Sequence, residues 1–127
     1  MSTPLHKRRP AKLEALKAAK ELEIYTIKKL SNEEHFKKKK YRKVLAPTIL
    51  EETKNCYTLL VKADACKDKA KAILLANEAM LCVEAVLAQL DTANVLYETP
   101  IPNIEYWAGK LVDLKGEIER WERMKMR

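Results

Sequence analysis

The residues with the clearest chemistry form a block of positive charge about a third of the way along the 127-residue chain. The block has six cations, namely Lys37, Lys38, Lys39, Lys40, Arg42 and Lys43. Cations this close in sequence could neutralise several phosphates of a nucleic acid, and such binding weakens steeply as salt rises. Solvation of a polar loop is the alternative, but a dense run of one charge favours a polyanion partner.

Two aromatic residues, Phe36 and Tyr41, flank the lysines. Their ring faces could stack on unpaired bases of RNA or single-stranded DNA. The alternative is that both rings pack against the hydrophobic core and hold this segment in place. We favour the second interpretation, because large aromatic side chains usually gain more from burial.

The net charge of +7 is unevenly distributed along the chain. Residues 1–43 hold 14 Lys or Arg against 5 Glu, whereas residues 44–127 hold 11 Lys or Arg against 13 Asp or Glu. A basic first third on a slightly acidic body indicates a polyanionic partner. We expect Arg8 and Arg9, in a flexible basic arm over residues 1–10, and Arg123 near the other end of the sequence to support the lysine block.

No pattern in the sequence predicts an enzyme or a cofactor. Gly-rich phosphate loops, the Gly-x-Ser-x-Gly motif and the His-Glu-x-x-His motif are absent. A structural zinc site needs about four spaced ligands, and only His6 and His35 could add to the three cysteines. Glu78 and Glu84 have no histidine nearby to form a di-metal site. We therefore expect no metal, no cofactor and no catalytic residue.

The cysteines Cys56, Cys66 and Cys82 are odd in number and form no Cys-x-x-Cys pair. Each falls in a helical pattern, so we interpret them as small buried residues of a cytoplasmic protein. Residues 1–10 are basic, but no apolar segment of a signal peptide follows them.

The periodicity of apolar residues predicts four helices, at about residues 11–31, 45–66, 68–97 and 100–126. Pro47 and Pro100 are expected in first turns, where the missing N–H costs nothing, with Asp68 and Thr99 as N-caps. The second and fourth helices carry clean stripes, which are Ala46, Ile49, Thr53, Cys56, Leu60 and Ala63 in the second and Ile104, Trp107, Leu111, Leu114, Ile118 and Trp121 in the fourth. Together with short connections, the pattern predicts an all-α, antiparallel up-down-up-down four-helix bundle over residues 11–127.

The third helix is apolar on more than one face. One stripe contains Ile73, Ala76 and Val83, a second contains Ala72, Ala79 and Val86, and a third contains Leu74, Leu81, Ala85 and Ala88. A membrane span is disfavoured because Glu78 and Glu84 lie in the middle. Two interpretations stay open: a central helix buried in one domain, or a helix that also packs against a neighbouring subunit through the third stripe.

Two stretches give the sequence a resemblance to a known family. Tyr25-Thr26-Ile27-Lys28 with Ser31-Asn32-Glu33 and Lys39-Lys40-Tyr41-Arg42 is similar to the first helix and following loop of the Avd-like four-helix-bundle proteins. Ile104-Glu105-Tyr106-Trp107, through Lys110-Leu111 to Trp121, is similar to their last helix. The family comprises the accessory variability determinant of diversity-generating retroelements and proteins encoded in intervening sequences of 23S ribosomal RNA genes.

The resemblance implies properties that the composition does not. It implies a homopentameric barrel of four-helix bundles, not itself an enzyme. It also implies binding to the template RNA, or the cDNA, and to the reverse transcriptase of a retroelement during mutagenic cDNA synthesis. Two alternatives remain: the intervening-sequence branch of the family, without a polymerase partner, and a purely structural oligomerisation module whose lysines keep it soluble.

Overall fold

The computed structural model describes residues 10–32, 39–96 and 101–126. Every regular element within these ranges is an α-helix: α1 (Pro10–Ser31), α2 (Lys39–Ala65), α3 (Lys69–Leu96) and α4 (Ile104–Met126). The prediction of an all-α chain with four helices is therefore confirmed. The basic arm, with Arg8 and Arg9, and the residues Phe36, Lys37, Lys38, Thr99 and Pro100 lie outside the described residues.

The cap of α3 matches the prediction. The Asp68 carboxylate oxygen Oδ1 accepts hydrogen bonds from the backbone N–H groups of Ala70 (3.0 Å) and Lys71 (3.2 Å). The Asp68 carbonyl accepts the first helical bond, from the N–H of Ala72 at 2.9 Å. Asp68 thus satisfies N–H groups that the first turn of a helix cannot pair internally.

The predicted start of α2 at residue 45 is wrong, because the helix begins six residues earlier, at Lys39. Pro47 consequently lies inside the helix and not in its first turn. A proline there removes one hydrogen bond, to the carbonyl of Lys43, and its exposed ring leaves the rest of the helix intact. Burial of Leu45 holds the earlier turns against the core.

The predicted start of α4 at residue 100 is also wrong. Helix α4 begins at Ile104, directly after Asn103, whose φ of 60° places it in the left-handed region. Asn tolerates this conformation better than most residues. The carbonyl of Asn103 accepts the first helical bond, from the N–H of Trp107 at 3.0 Å.

Each helix packs against two others: α1 and α3 both contact α2 and α4. Three hydrogen bonds connect the last turn of α1 with the beginnings of α2 and α4, since Arg42 donates two to the Leu30 carbonyl and Lys29 donates one to the Pro102 carbonyl. A small cavity lined by Ala15, Leu16, Leu60, Asp64 and Trp121 joins the first turns of α1 to the last turns of α2 and α4.

The core follows the stripes expected for α2 and α4. Ile49, Cys56, Leu60 and Ala63 of α2 are buried, as are Trp107, Leu111, Leu114, Ile118 and Trp121 of α4. Helix α3 buries mostly small residues at spacings of three and four, and the buried set is Ala72, Ala76, Ala79, Val83, Val86, Leu90 and Ala93. Among the other leucines of this helix, Leu75 and Leu87 are half-buried against the core, whereas Leu74 and Leu81 are exposed.

Candidate nucleic-acid interface

The described part of the lysine block is helical, although the predicted helices at residues 11–31 and 45–66 place the block in the loop between them. Lys39 is the first residue of α2, and Lys40 and Lys43 project as exposed side chains from its first two turns. Lysine and arginine are good helix formers, and no glycine or proline interrupts residues 39–46. The helical backbone therefore holds Lys40 and Lys43 at a spacing of three residues, close to one face.

Arg42 is engaged in a structural role that the sequence did not reveal. Its Nε and Nη2 atoms both donate to the carbonyl oxygen of Leu30, at 3.1 and 2.7 Å. This carbonyl belongs to the last turn of α1, where the helix has no internal donors left to satisfy it. A positive charge at a helix C-terminus is also electrostatically favourable. Arg42 thus ties α1 to α2.

Tyr41 packs partly buried against the hydrophobic core. The ammonium of Lys40 lies 5.3 Å from the centre of its ring, within the range of a cation–π contact. The interpretation of Tyr41 as a ring packed on the core, and not as a free stacking surface, is confirmed.

Lys29 has a structural role that its sequence pattern does not predict. It is buried, and its Nζ donates a hydrogen bond to the carbonyl of Pro102. Burial lowers the pKa of this ammonium, because desolvation disfavours the charged form. Its neighbour Lys28 is exposed in the same last turn of α1. Lys29 therefore joins α1 to the start of α4, whereas Lys28 is exposed to solvent.

An aromatic cluster on the seam between α1 and α4 was also missed. The rings of Tyr25 and Tyr106 meet edge to face, with their centres 5.6 Å apart, and Tyr25 contacts the buried Trp107 at 6.1 Å. The ammonium of Lys110 lies 5.0 Å from the ring centre of Tyr106 and 5.5 Å from that of Tyr25. The aromatic residues were visible in sequence, but their meeting depends on how α1 packs on α4.

The pKa of Tyr25 reflects this position. Burial raises it most, Tyr106 raises it further, and the charge of Lys110 lowers it. The phenol therefore stays protonated at neutral pH and can serve as a hydrogen-bond donor.

The hydrogen bonds of Arg42 and Lys29 bring the last turn of α1 together with the first turns of α2 and α4 at one end of the protein. We call this the basic end, because these turns carry Lys28, Lys40, Lys43 and Lys110. Arg123 does not join them. Its turn of α4 also carries Trp121, which contacts the first turns of α1. Leu30 lies in the last turn of α1 and Ala15 in its second turn, about 22 Å away along the helix axis. The structure thus separates Arg123 from the lysines.

The outer face of α3 carries a second kind of surface. Leu74, Leu81, Ala88 and Val95 recur every seven residues and are all exposed, with 62%, 68% and 84% of Leu74, Leu81 and Val95 accessible to solvent. We call these four residues the α3 outer stripe. Val95 was missed by the sequence analysis. Ala85, which was predicted with this stripe, is instead half-buried, because it lies on the flank of the helix.

Glu84, beside the stripe, forms an ion pair of 2.7 Å with Lys115 of α4. Helix α3 is long and apolar enough to cross a membrane by length and composition, with a mean hydropathy of 1.6. The core helix of a soluble protein passes the same test, and two glutamates within the span count against insertion.

Cys56 is buried and Cys82 is half-buried, and neither offers a reactive thiolate. Burial, reinforced by Cys82, raises the pKa of Cys56 to about 12, and burial with a hydrogen bond to Glu52 raises the pKa of Cys82 to about 11. Both thiols therefore stay protonated at neutral pH, which makes them poor nucleophiles and poor metal ligands. Within the described ranges, no group of three or more His, Cys, Asp or Glu side chains could hold a metal ion.

Comparison with known proteins finds no match to this chain among family models, curated proteins or solved structures. The resemblance to the Avd-like family therefore stays a prediction.

Proposed function

We propose that this protein is an Avd-like accessory factor of a diversity-generating retroelement. In this role it binds template RNA and the reverse transcriptase, works in the cytoplasm and catalyses no reaction itself. The observation that supports the proposal is the basic end, where the exposed Lys28, Lys40 and Lys43 of α1 and α2 lie at the same end as the half-buried Lys110 of α4. Lysines on rigid helices are suited to contacting phosphates, which supply most of the affinity for nucleic acids.

The proposed arrangement is an antiparallel up-down-up-down bundle. Contacts at both ends of α1 support it: the last turn of α1 meets the first turns of α2, and its first turns meet the last turns of α2. Neighbouring helices that exchange ends in this way run in opposite directions. The short connection between Ala65 and Lys69 supports the same antiparallel relation between α2 and α3.

The proposed assembly is a homopentamer that packs through the α3 outer stripe. Helix α3 buries one leucine, Leu90, among alanines and valines, while it exposes Leu74, Leu81 and Val95. A protein that worked as a lone bundle would gain more by burying the larger side chains, since each buried leucine contributes about 1.5–3 kcal/mol. Their exposure favours the subunit-packing interpretation over a helix buried in one domain. Repetition of the basic end around a ring would raise the avidity for a long RNA.

Charge reversal tests the RNA interface. We expect the double variant Lys40→Glu, Lys43→Glu to bind RNA much more weakly. The plot of log K against log salt should also become less steep, by at least about 1.4, since each phosphate contact to a single strand contributes about 0.7 to the steepness. The matched control is Lys54→Glu with Lys62→Glu, which makes the same charge change at exposed sites farther along α2. Equal affinities for the two variants would contradict the proposal.

Light scattering with and without structured RNA tests the assembly. A mass of several protomers that shifts onto RNA at low salt supports the accessory role and justifies a binding assay with a reverse transcriptase. A monomer that ignores RNA would instead contradict it.

The intervening-sequence type of protein would share the bundle but would fail to bind any reverse transcriptase. The purely structural module would assemble but would not bind RNA at low salt. Both alternatives are therefore separated from the proposal by the same measurements.

A further inference from the structure

The ring of Tyr106 contacts neighbouring side chains of the protein but is largely exposed to solvent. This ring and that of Tyr25 meet edge to face, and the ring of Tyr25 in turn contacts the buried Trp107. The ammonium of Lys110, one turn farther along α4, lies over both tyrosine rings. Despite these contacts, 59% of Tyr106 is accessible to solvent. The contacts restrict the orientation of the ring without covering it.

The core does not require this ring. The buried stripe of α4 runs from Trp107 to Trp121 without Tyr106. An aromatic side chain that served packing alone would bury most of its surface, because burial is the source of its stabilising effect. A large, fixed and exposed ring is instead what base stacking needs, since every nucleobase has a face that can lie on it.

The charges around Tyr106 favour an anionic partner. Lys110 lies against the ring, and the bond of Lys29 to Pro102 brings the exposed Lys28 of α1 to the same end as the start of α4. Glu105, also exposed, is the acidic neighbour of Tyr106 along α4. The lysines of the basic end outnumber this carboxylate, so a polyanion with accessible bases fits both the ring and the charge.

We propose that Tyr106 is a stacking platform for an unpaired base of RNA, with Lys110 pairing the adjoining phosphate. The inference rests on the proposed RNA-binding function and specifies it further. The site would select single-stranded segments over duplex, because bases within a helix have no free face to offer the ring. Tyr25 acts through Tyr106, as the residue that positions its ring.

Binding of a short oligoadenylate that contains 2-aminopurine tests the proposal, with a duplex RNA of the same length as the second probe. We expect Tyr106→Ala to weaken single-strand binding about 5-fold to 150-fold, as loss of one stacked base would. Quenching of 2-aminopurine fluorescence should disappear, while duplex affinity and the salt slope stay unchanged. Tyr106→Phe keeps the ring and should stay within about twofold of the unmodified protein.

The matched control is Val112→Ala, a truncation on the same helix at a side chain that is 57% exposed. Circular dichroism confirms that each variant is folded. If Tyr106→Ala binds the single strand as tightly as Val112→Ala, the platform is refuted. If the Lys40 and Lys43 reversal still weakens binding in that case, the proposed function stands and only this inference fails. If neither change affects binding, both fail.

Discussion

Removal of the Arg42 side chain should destabilise the protein, although the residue stands in a block of cations that the sequence assigns to RNA. In the structure, two nitrogens of Arg42 donate to the carbonyl of Leu30 at 3.1 and 2.7 Å. A hydrogen bond to a charged group contributes about 1.5–3 kcal/mol when well shielded. Because both bonds share one oxygen and the side chain is half-exposed, we expect Arg42→Ala to cost about 1–2 kcal/mol.

Urea denaturation followed by circular dichroism, at one fixed protein concentration, measures this loss. For a chain of this length, the same loss lowers the melting temperature by about 4–8 °C. Lys43→Ala is the matched control, since Lys43 is an exposed cation next to Arg42, and it should change stability by less than about 0.5 kcal/mol. Arg42→Lys should fall between the two, because lysine keeps the charge but not the forked geometry.

The outcome separates two roles for Arg42. If its guanidinium served RNA alone, Arg42→Ala would lower the salt slope of RNA binding and leave the urea midpoint equal to that of Lys43→Ala. That result would refute the structural role. A lower midpoint with an unchanged salt slope would support it.

Two further substitutions test the helices and the buried charge. Pro47→Ala should stabilise the protein by about 2 kcal/mol, because it restores a helical hydrogen bond and the gain exceeds the added freedom of the unfolded chain; a lower urea midpoint would contradict this. Burial, and then the charge of Glu119, raises the pKa of Glu122, whose Oε2 is buried without a hydrogen-bond partner among the described residues. The stabilising contribution of the protonated Glu122 to the free energy of unfolding is therefore fully present below the pKa of about 4.3 that it has in the unfolded chain. This contribution is lost as the pH rises through the higher pKa of the folded state. Glu122→Gln should consequently be more stable than the unmodified protein at pH 7, with a difference that shrinks as the pH falls toward about 4; a difference that does not vary with pH in urea titrations would count against a buried, ionised carboxylate.

Much of the fold follows from local pattern. The apolar stripes of α2 and α4 identify the residues that the structure buries, because a helix repeats every 3.6 residues and its core face can be read from spacing alone. Asp68 is the cap of α3 for an equally local reason, since its side chain needs only to reach N–H groups two and three residues ahead. Helix starts were less predictable. Pro47 suggested a first turn, but long-range burial of Leu45 extends α2 to Lys39.

The candidate site also combines features that the sequence pattern predicts with features that depend on tertiary packing. The sequence by itself determined that the chain is helical, that its positive charge is concentrated in the first third, and that α3 has more apolar surface than one core face can use. Only the tertiary structure decided which of those charges are free to meet a partner. Packing turns Arg42 into a cap and buries Lys29, although both look like surface cations in sequence. It also brings Tyr25 to Tyr106 and Lys110 from helices at opposite ends of the chain. Such pairings depend on distances between helices, which spacing along a single helix does not encode.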